Sequence, residues 1–221
     1  MRETNALVLF SGGQDSTTCL YWAKKHFENI ETITFNYGQR HSSELKAAAD
    51  IAENAGVPFR ILELPLLNAI TENALTRKDM PIEVFTGNST PNTLVEGRNM
   101  LFLTYAAIYA KSKGISNLIA GVNQTDYSGY PDCRDTFIRS INVTLNLAMD
   151  YEFIVNTPLM HLTKAETWKM ADELGVFELV RDKTVTCYEG ITGNGCGICP
   201  SCKLRGQGLE EYNKSKIYQN G

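Results

Sequence analysis

Short apolar runs alternate along the chain with stretches whose apolar positions recur every three to four residues. The first pattern predicts strands at 6–10, 30–35, 59–64, 117–122 and 153–156. The second predicts helices at 17–27, 43–55, 98–113, 134–149 and 163–174. Glycines close three of these helices, Gly56, Gly114 and Gly175, as expected where the chain must turn left-handed. The last helix opens on Thr163-Lys-Ala-Glu166, a capping box. Between 65 and 96 neither period holds, and the segment reads as an irregular insertion. Strand and helix in alternation predict an α/β fold. Its doubly wound, mostly parallel sheet carries helices on both faces and binds ligands at the carboxyl ends of its strands.

At one such end stands Ser11-Gly-Gly-Gln-Asp-Ser16. A strand, a glycine pair and a helix N-terminus make an anion site, because glycines let backbone N–H groups approach phosphate oxygens without a Cβ in the way. Ser11 and Ser16 add hydroxyl donors. Asp15 fits an anion site once a divalent cation lies between it and the phosphate. No Lys follows the glycines as a Walker loop requires, and G-x-G-x-x-G is absent. A tight strand-to-helix turn capped by Ser or Asp is the plainer reading of the glycines alone.

Composition changes the picture in two places. The 221 residues, 43% of them hydrophobic, suffice for one domain with a small appendage, divided here as 1–180 and 181–221. A net charge of -4 without any like-charge block disfavours a stable grip on a long nucleic acid. No apolar run nears the ~20 residues that cross a bilayer, so the chain is expected to be cytoplasmic and without a membrane partner. Of six cysteines, Cys187, Cys196, Cys199 and Cys202 crowd together as C-x8-C-x2-C-x2-C. Four thiolates complete a tetrahedral Zn²⁺ shell with no open position, a structural site; a [4Fe–4S] cluster is the rival occupant. Cys19 is expected in the core, and Cys133 in a polar loop.

The string Ser11–Ser16 resembles the S-G-G-x-D-S signature of the PP-loop, or N-type, ATP pyrophosphatases. The resemblance extends through FNYGQRHSSEL (35–45), EGRNMLFL (96–103), GVNQTDYSGYPDCRDTFI (121–138), TPLMHLTKAETWKMADELG (157–175) and the cysteine cluster. In this order they are similar to the 7-cyano-7-deazaguanine synthase family. Glu96 departs from it, standing where the family usually has Pro. The resemblance implies an ATP-dependent carbon–nitrogen ligase of queuosine biosynthesis. Its substrates are 7-carboxy-7-deazaguanine, ammonia and ATP with Mg²⁺, and one structural Zn²⁺ sits in each chain. ATP would be held by Phe10, Ser11, Gly12, Gly13, Gln14, Asp15, Ser16, Thr17 and Thr18.

A guanine-like edge offers N–H donors that a carboxylate accepts in pairs. Asp126, Asp132 and Asp135, with Arg134 among them, are the candidates for reading it. Asp132 and Asp135 read equally well as helix caps, and Tyr127 and Tyr130 as turn packing. Arg98, Arg134 and Lys164 open predicted helices, where a cation opposes the helix dipole and so suggests anion binding. Lys164, Arg98 and Asp15 are the catalytic candidates. Glu166 is assigned to the capping box, and His41 and His161 to solvated loops. Converting a carboxylate to a nitrile removes both oxygens. Two adenylations, of the acid and then of the amide, would let each leave in turn. The remaining alternatives are a PP-loop sulfur transferase acting on tRNA and a non-enzymatic zinc module. No direct nucleic-acid partner is expected, and a homodimer is the candidate assembly.

Overall fold

β1 (Glu3–Leu9) sends alternate side chains to opposite faces of a sheet, and that alternation divides the core. Ala6 and Val8 pack with Cys19, Leu20 and Ala23 of α1 (Gln14–His26) and with Ala48, Ile51 and Ala52 of α2 (Ser43–Ala55). Leu7 faces the other way. It packs with Leu103 and Ala107 of α3 (Arg98–Ser112) and with Ile138 and Ile141 of α4 (Asp135–Met149). The computed structural model describes residues 3–39, 43–65, 70–77, 79–82, 91–124 and 130–219.

Among the described residues the sheet has five strands, all paired in parallel, in the order β3-β2-β1-β4-β5. The others are β2 (Phe27–Asn36), β3 (Phe59–Glu63), β4 (Asn117–Ile119) and β5 (Ile154–Asn156). The chain leaves β1 for β2 on one side and returns to β4 on the other. The order therefore reverses beside β1, where open α/β sheets bind their ligands.

The expected α/β architecture is present, with shifted ends. β1 starts at Glu3 rather than at residue 6, and α1 starts at Gln14, immediately after Gly13 in extended conformation, rather than at residue 17. α5 (Lys164–Glu173) begins at the expected capping box. Glu166 N donates to Thr163 Oγ1 (3.2 Å) and Thr163 N donates to Glu166 Oε2 (2.7 Å). Two helices had no forecast: α6 (Phe177–Lys183) and α7 (Pro200–Gln219). α7 lies along α5. Tyr212 packs with Trp168 and Val180, and Tyr212 Oη donates to Asp172.

Candidate active site

The loop after β1 is built on a glycine with no room for a Cβ. Gly12 has φ +76°, and a Cβ there would stand 2.7 Å from the backbone nitrogen of Ala48 in α2. α2 thus presses on the loop from behind. Gly121, just past β4, is nearly as tight: its Cβ would meet Asp15 C and Ser16 N at 3.1 Å. Held between them, the loop folds on itself. Ser11 N donates to Ser16 Oγ (3.2 Å), and the two hydroxyl oxygens are 3.0 Å apart. Gly13, the residue before α1, brings no side-chain cap, and the N–H groups of the helix's first turn carry its partial positive charge.

This loop forms one wall of a cavity of about 640 Å³. Phe10, Ser11, Gly13, Gln14, Asp15 and Ser16 line it, as do Arg98 and Lys164. Thr17 and Thr18 are fully buried beneath the loop, where the Thr18 hydroxyl donates to Gln14 O (2.9 Å). Lys164 Nζ donates to both oxygens of Asp15 at 3.0 Å, which ties α5 to α1. Its stem lies across Gly208 of α7, where a Cβ would come within 2.6 Å of Lys164 Cγ. Gly208 therefore makes the room that lets a nearly buried lysine reach the loop.

The C-terminal segment reaches the same loop by a second route that the sequence did not reveal. Arg205 of α7 is 4% exposed. It donates to Thr184 Oγ1 (2.7 Å), Thr186 Oγ1 (2.9 Å), Val180 O (2.8 Å) and Arg181 O (2.9 Å). Its guanidinium lies over Trp168, 5.1 Å from the ring centre. Thr186 Oγ1 in turn accepts from Gln14 N (3.2 Å), and Val185 N donates to Gly12 O (3.1 Å). Residues 184–186 are thus a splint along the glycine loop, fixed from behind by Arg205.

Elsewhere in the cavity lining Arg98 stands in the field of Tyr37 and lies over Tyr130, 6.0 Å from its ring centre. Burial pulls its pKa down, but Tyr37, Tyr130 and Asp132 more than offset that and hold the guanidinium charged. Tyr130 Oη is 2.7 Å from Thr93 Oγ1. Asp132 is buried, and its carboxylate accepts from Asn99 N (2.9 Å) at the start of α3, a capping contact made across the fold. Asp135 pairs with Arg139 one turn on (2.7 Å), and Arg134 is exposed ahead of α4. Asp132, Arg134 and Asp135 are not among the residues lining the cavity, although Tyr130 and Cys133 are. Asp126, Tyr127 and His41 lie outside the described residues.

Next to the splint, the sulfurs of Cys187, Cys196, Cys199 and Cys202 all lie within 4.8 Å of one another. Cys196 and Cys202 Sγ are 3.9 Å apart. A tetrahedral thiolate shell at about 2.3 Å from one ion spaces its sulfurs by about 3.8 Å. Gly195 makes this closeness possible, since a Cβ there would sit 2.3 Å from Cys202 Sγ. Backbone N–H groups of Glu189 and Cys196 donate to Cys187 Sγ at 3.4 Å, and Cys199 N donates to Cys196 Sγ at 3.3 Å. Such donors suit thiolates on a metal. The four residues fit a single metal ion.

Solved structures share this architecture. A 4-thiouridine synthetase in complex with RNA and bound ATP matches with a TM-score of 0.53 at 21% identity, over 95% of this chain and 50% of that one. The U34-tRNA thiolase NcsA of Methanococcus maripaludis, with its [4Fe-4S] cluster, matches with a TM-score of 0.51 at 15% identity, over 98% and 67%. At such identities the likeness is one of fold. Sequence relatives are far nearer. The 7-cyano-7-deazaguanine synthase of Clostridium acetobutylicum is 56% identical over 215 residues, 97% of each chain. That of Shouchella clausii is 54% identical over 216 residues, 98% of each. The model of the queuosine biosynthesis protein QueC family matches residues 5–213. With the glycine loop, the cavity and the four cysteines all falling inside that span, the chain belongs to the QueC family.

Proposed function

We propose that the chain is a 7-cyano-7-deazaguanine synthase: with ATP and ammonia it converts 7-carboxy-7-deazaguanine to the nitrile. The observation that carries this reading is the near-full-length match to relatives of that name. The cavity supports it, because it joins an anion-binding loop to a cationic, aromatic chamber in one space. Neither carboxylate oxygen leaves as hydroxide at neutral pH. Adenylation of the acid, displacement by ammonia, adenylation of the amide oxygen and elimination remove them in turn. The protein's task is to position the reactants and stabilise charge. Arg98 and Lys164 are the cations for the substrate carboxylate and the phosphates. Asp15 would hold the Mg²⁺ that accompanies ATP, and Lys164, 3.0 Å from that carboxylate, would meet the anionic oxygens beside it.

For the metal we propose structural zinc. The support is the compactness of the sulfur set: in a cubane cluster each thiolate binds a different iron, and the sulfurs stand farther apart. Cys187, Cys196, Cys199 and Cys202 would hold the ion and leave no position for substrate. The free cysteines and the metal-binding set fit a reducing compartment, which supports the cytoplasm. No described helix is long and apolar enough to cross a membrane. For a homodimer the support is exposed apolar side chains on the neighbouring helices α3 and α4: Tyr105, Ile108, Val143 and Leu147. The test of the reading is mass spectrometry of products from ATP, ammonium and 7-carboxy-7-deazaguanine, with metal analysis of the same preparation. The expected results are the nitrile with AMP and pyrophosphate, and one zinc per chain.

A further inference from the structure

The cavity must tell a guanine-like base from the adenine of its own cosubstrate. A guanine edge presents an acceptor, O6, followed by two donors, N1–H and the 2-amino group, whereas an adenine edge pairs one donor with one acceptor. A carboxylate matches the two donors, and a guanidinium beside it is one donor that matches O6. Among the described residues, the carboxylates lining the cavity are Asp15 and Glu44. Asp15 is taken up by Lys164. Glu44, in the first turn of α2, has no hydrogen-bond or ion-pair partner among the described residues and stands in the field of Arg98. Phe35, Tyr37 and Phe102 wall the cavity here; Phe35 and Phe102 stack at 4.3 Å, and Phe102 and Tyr37 tilt together at 5.4 Å. Aromatic rings, a cation and a carboxylate thus line one cavity.

We infer that Glu44 reads the N1–H and 2-amino edge of the deazaguanine, with Arg98 on the O6 side, an inference that rests on the nitrile-forming reading. The 7-carboxylate stands on the same side of the base as O6, so this orientation brings the reacting group toward Arg98 rather than away from it. An ionised Glu44 offers two acceptors and repels N1 of adenine, so the cavity selects against ATP's base. Burial raises the Glu44 carboxyl to about 7, opposed by Arg98 from α3; among the described residues Tyr37, beyond β2, also faces it. Affinity for the base therefore rises as the pH passes upward through 7.

The test compares wild type with Glu44→Gln, using equilibrium binding of 7-carboxy-7-deazaguanine and of its analogue lacking the 2-amino group, with the KM for ATP as the second readout. The amide keeps the shape but turns one acceptor into a donor. The expected result is a loss of about tenfold or more in affinity for the substrate acid. The preference for the 2-amino group should collapse and the pH dependence near 7 should flatten, with the KM for ATP unchanged. If Glu44→Gln does not fold, Glu44→Asp decides, since it keeps the charge and withdraws it by one methylene; it should weaken the acid and spare ATP. Retained discrimination in the variant overturns the inference, as does a change confined to ATP, which would make Glu44 an adenine contact. Loss of discrimination in Asp126→Ala with Glu44→Gln unaffected overturns it too. Wild-type protein that turns over the acid while Glu44→Gln discriminates normally sinks the inference alone. Wild-type protein that neither binds nor converts the acid sinks it together with the proposed function.

Discussion

Gly12 concentrates the fold's demands on a single residue. Gly12→Ala combines a left-handed φ with a Cβ 2.7 Å from the backbone of Ala48. The expected loss is about 2–5 kcal/mol in chemical denaturation, the sum of backbone strain and overpacking. Gly56→Ala is the control: φ is also positive (+67°), but nothing lies within 4 Å, so only the conformational cost of about 1–2 kcal/mol remains. Equal losses in the two variants would show that α2 does not press on the loop. At Asp15 the expectation concerns function. Asp15→Asn removes the charged group that Lys164 Nζ holds at 3.0 Å, and Mg²⁺-dependent ATP binding should weaken about tenfold or more; unchanged nucleotide affinity and turnover would contradict the assignment. The loop was legible in the sequence because six ordered positions carry its chemistry. Glu44 was not, although it stands in a quoted motif: a glutamate in the first turn of a helix looks the same whether it faces water or a cavity.

The elements show the same division between local and distant causes. α2 and α5 were legible end to end, because Gly56 and the Thr163–Glu166 capping box are local signals. α7 was not, since Gly206 and Gly208 inside it read as breakers. Its reason for carrying Gly208 is Lys164, a contact no local pattern encodes. The splint is equally hidden, because the bond from Gln14 to Thr186 spans 172 positions. Two predictions belong here. Thr163→Ala should cost about 1 kcal/mol. Hydrogen bonds from the Thr163 backbone and side chain lower the Glu166 pKa, so the stability it contributes is full above the ordinary carboxylate range. That contribution is lost as the pH falls through the depressed folded-state value, and the stability gap to Glu166→Ala should shrink there. Metal removal, or Cys199→Ser, should destabilise the C-terminal segment, metal binding being worth on the order of 10 kcal/mol to such sites. It should also weaken ATP binding, because the splint leads straight from Cys187 to Gly12. A metal-free variant with wild-type stability and wild-type ATP affinity would sink both parts.

At the scale of the whole molecule, one parallel sheet sets the glycine loop where the strand order reverses, and the helices that follow bring a cation each. Arg98 opens α3 and Lys164 opens α5, and both face one cavity. The C-terminal cysteines lie outside that chamber yet brace its floor through Thr186 and Arg205. On the proposed function, this chamber makes a nitrile from a deazaguanine acid. That function is tested most directly by incubating the metal-loaded protein with ATP, ammonium carrying ¹⁵N and 7-carboxy-7-deazaguanine, and following products by mass spectrometry. The expected products are a transient amide and then 7-cyano-7-deazaguanine, each with one ¹⁵N, with two ATP converted to AMP and pyrophosphate for every nitrile formed. ATP consumed with no label entering the base, or a product that stops at the amide, would contradict it.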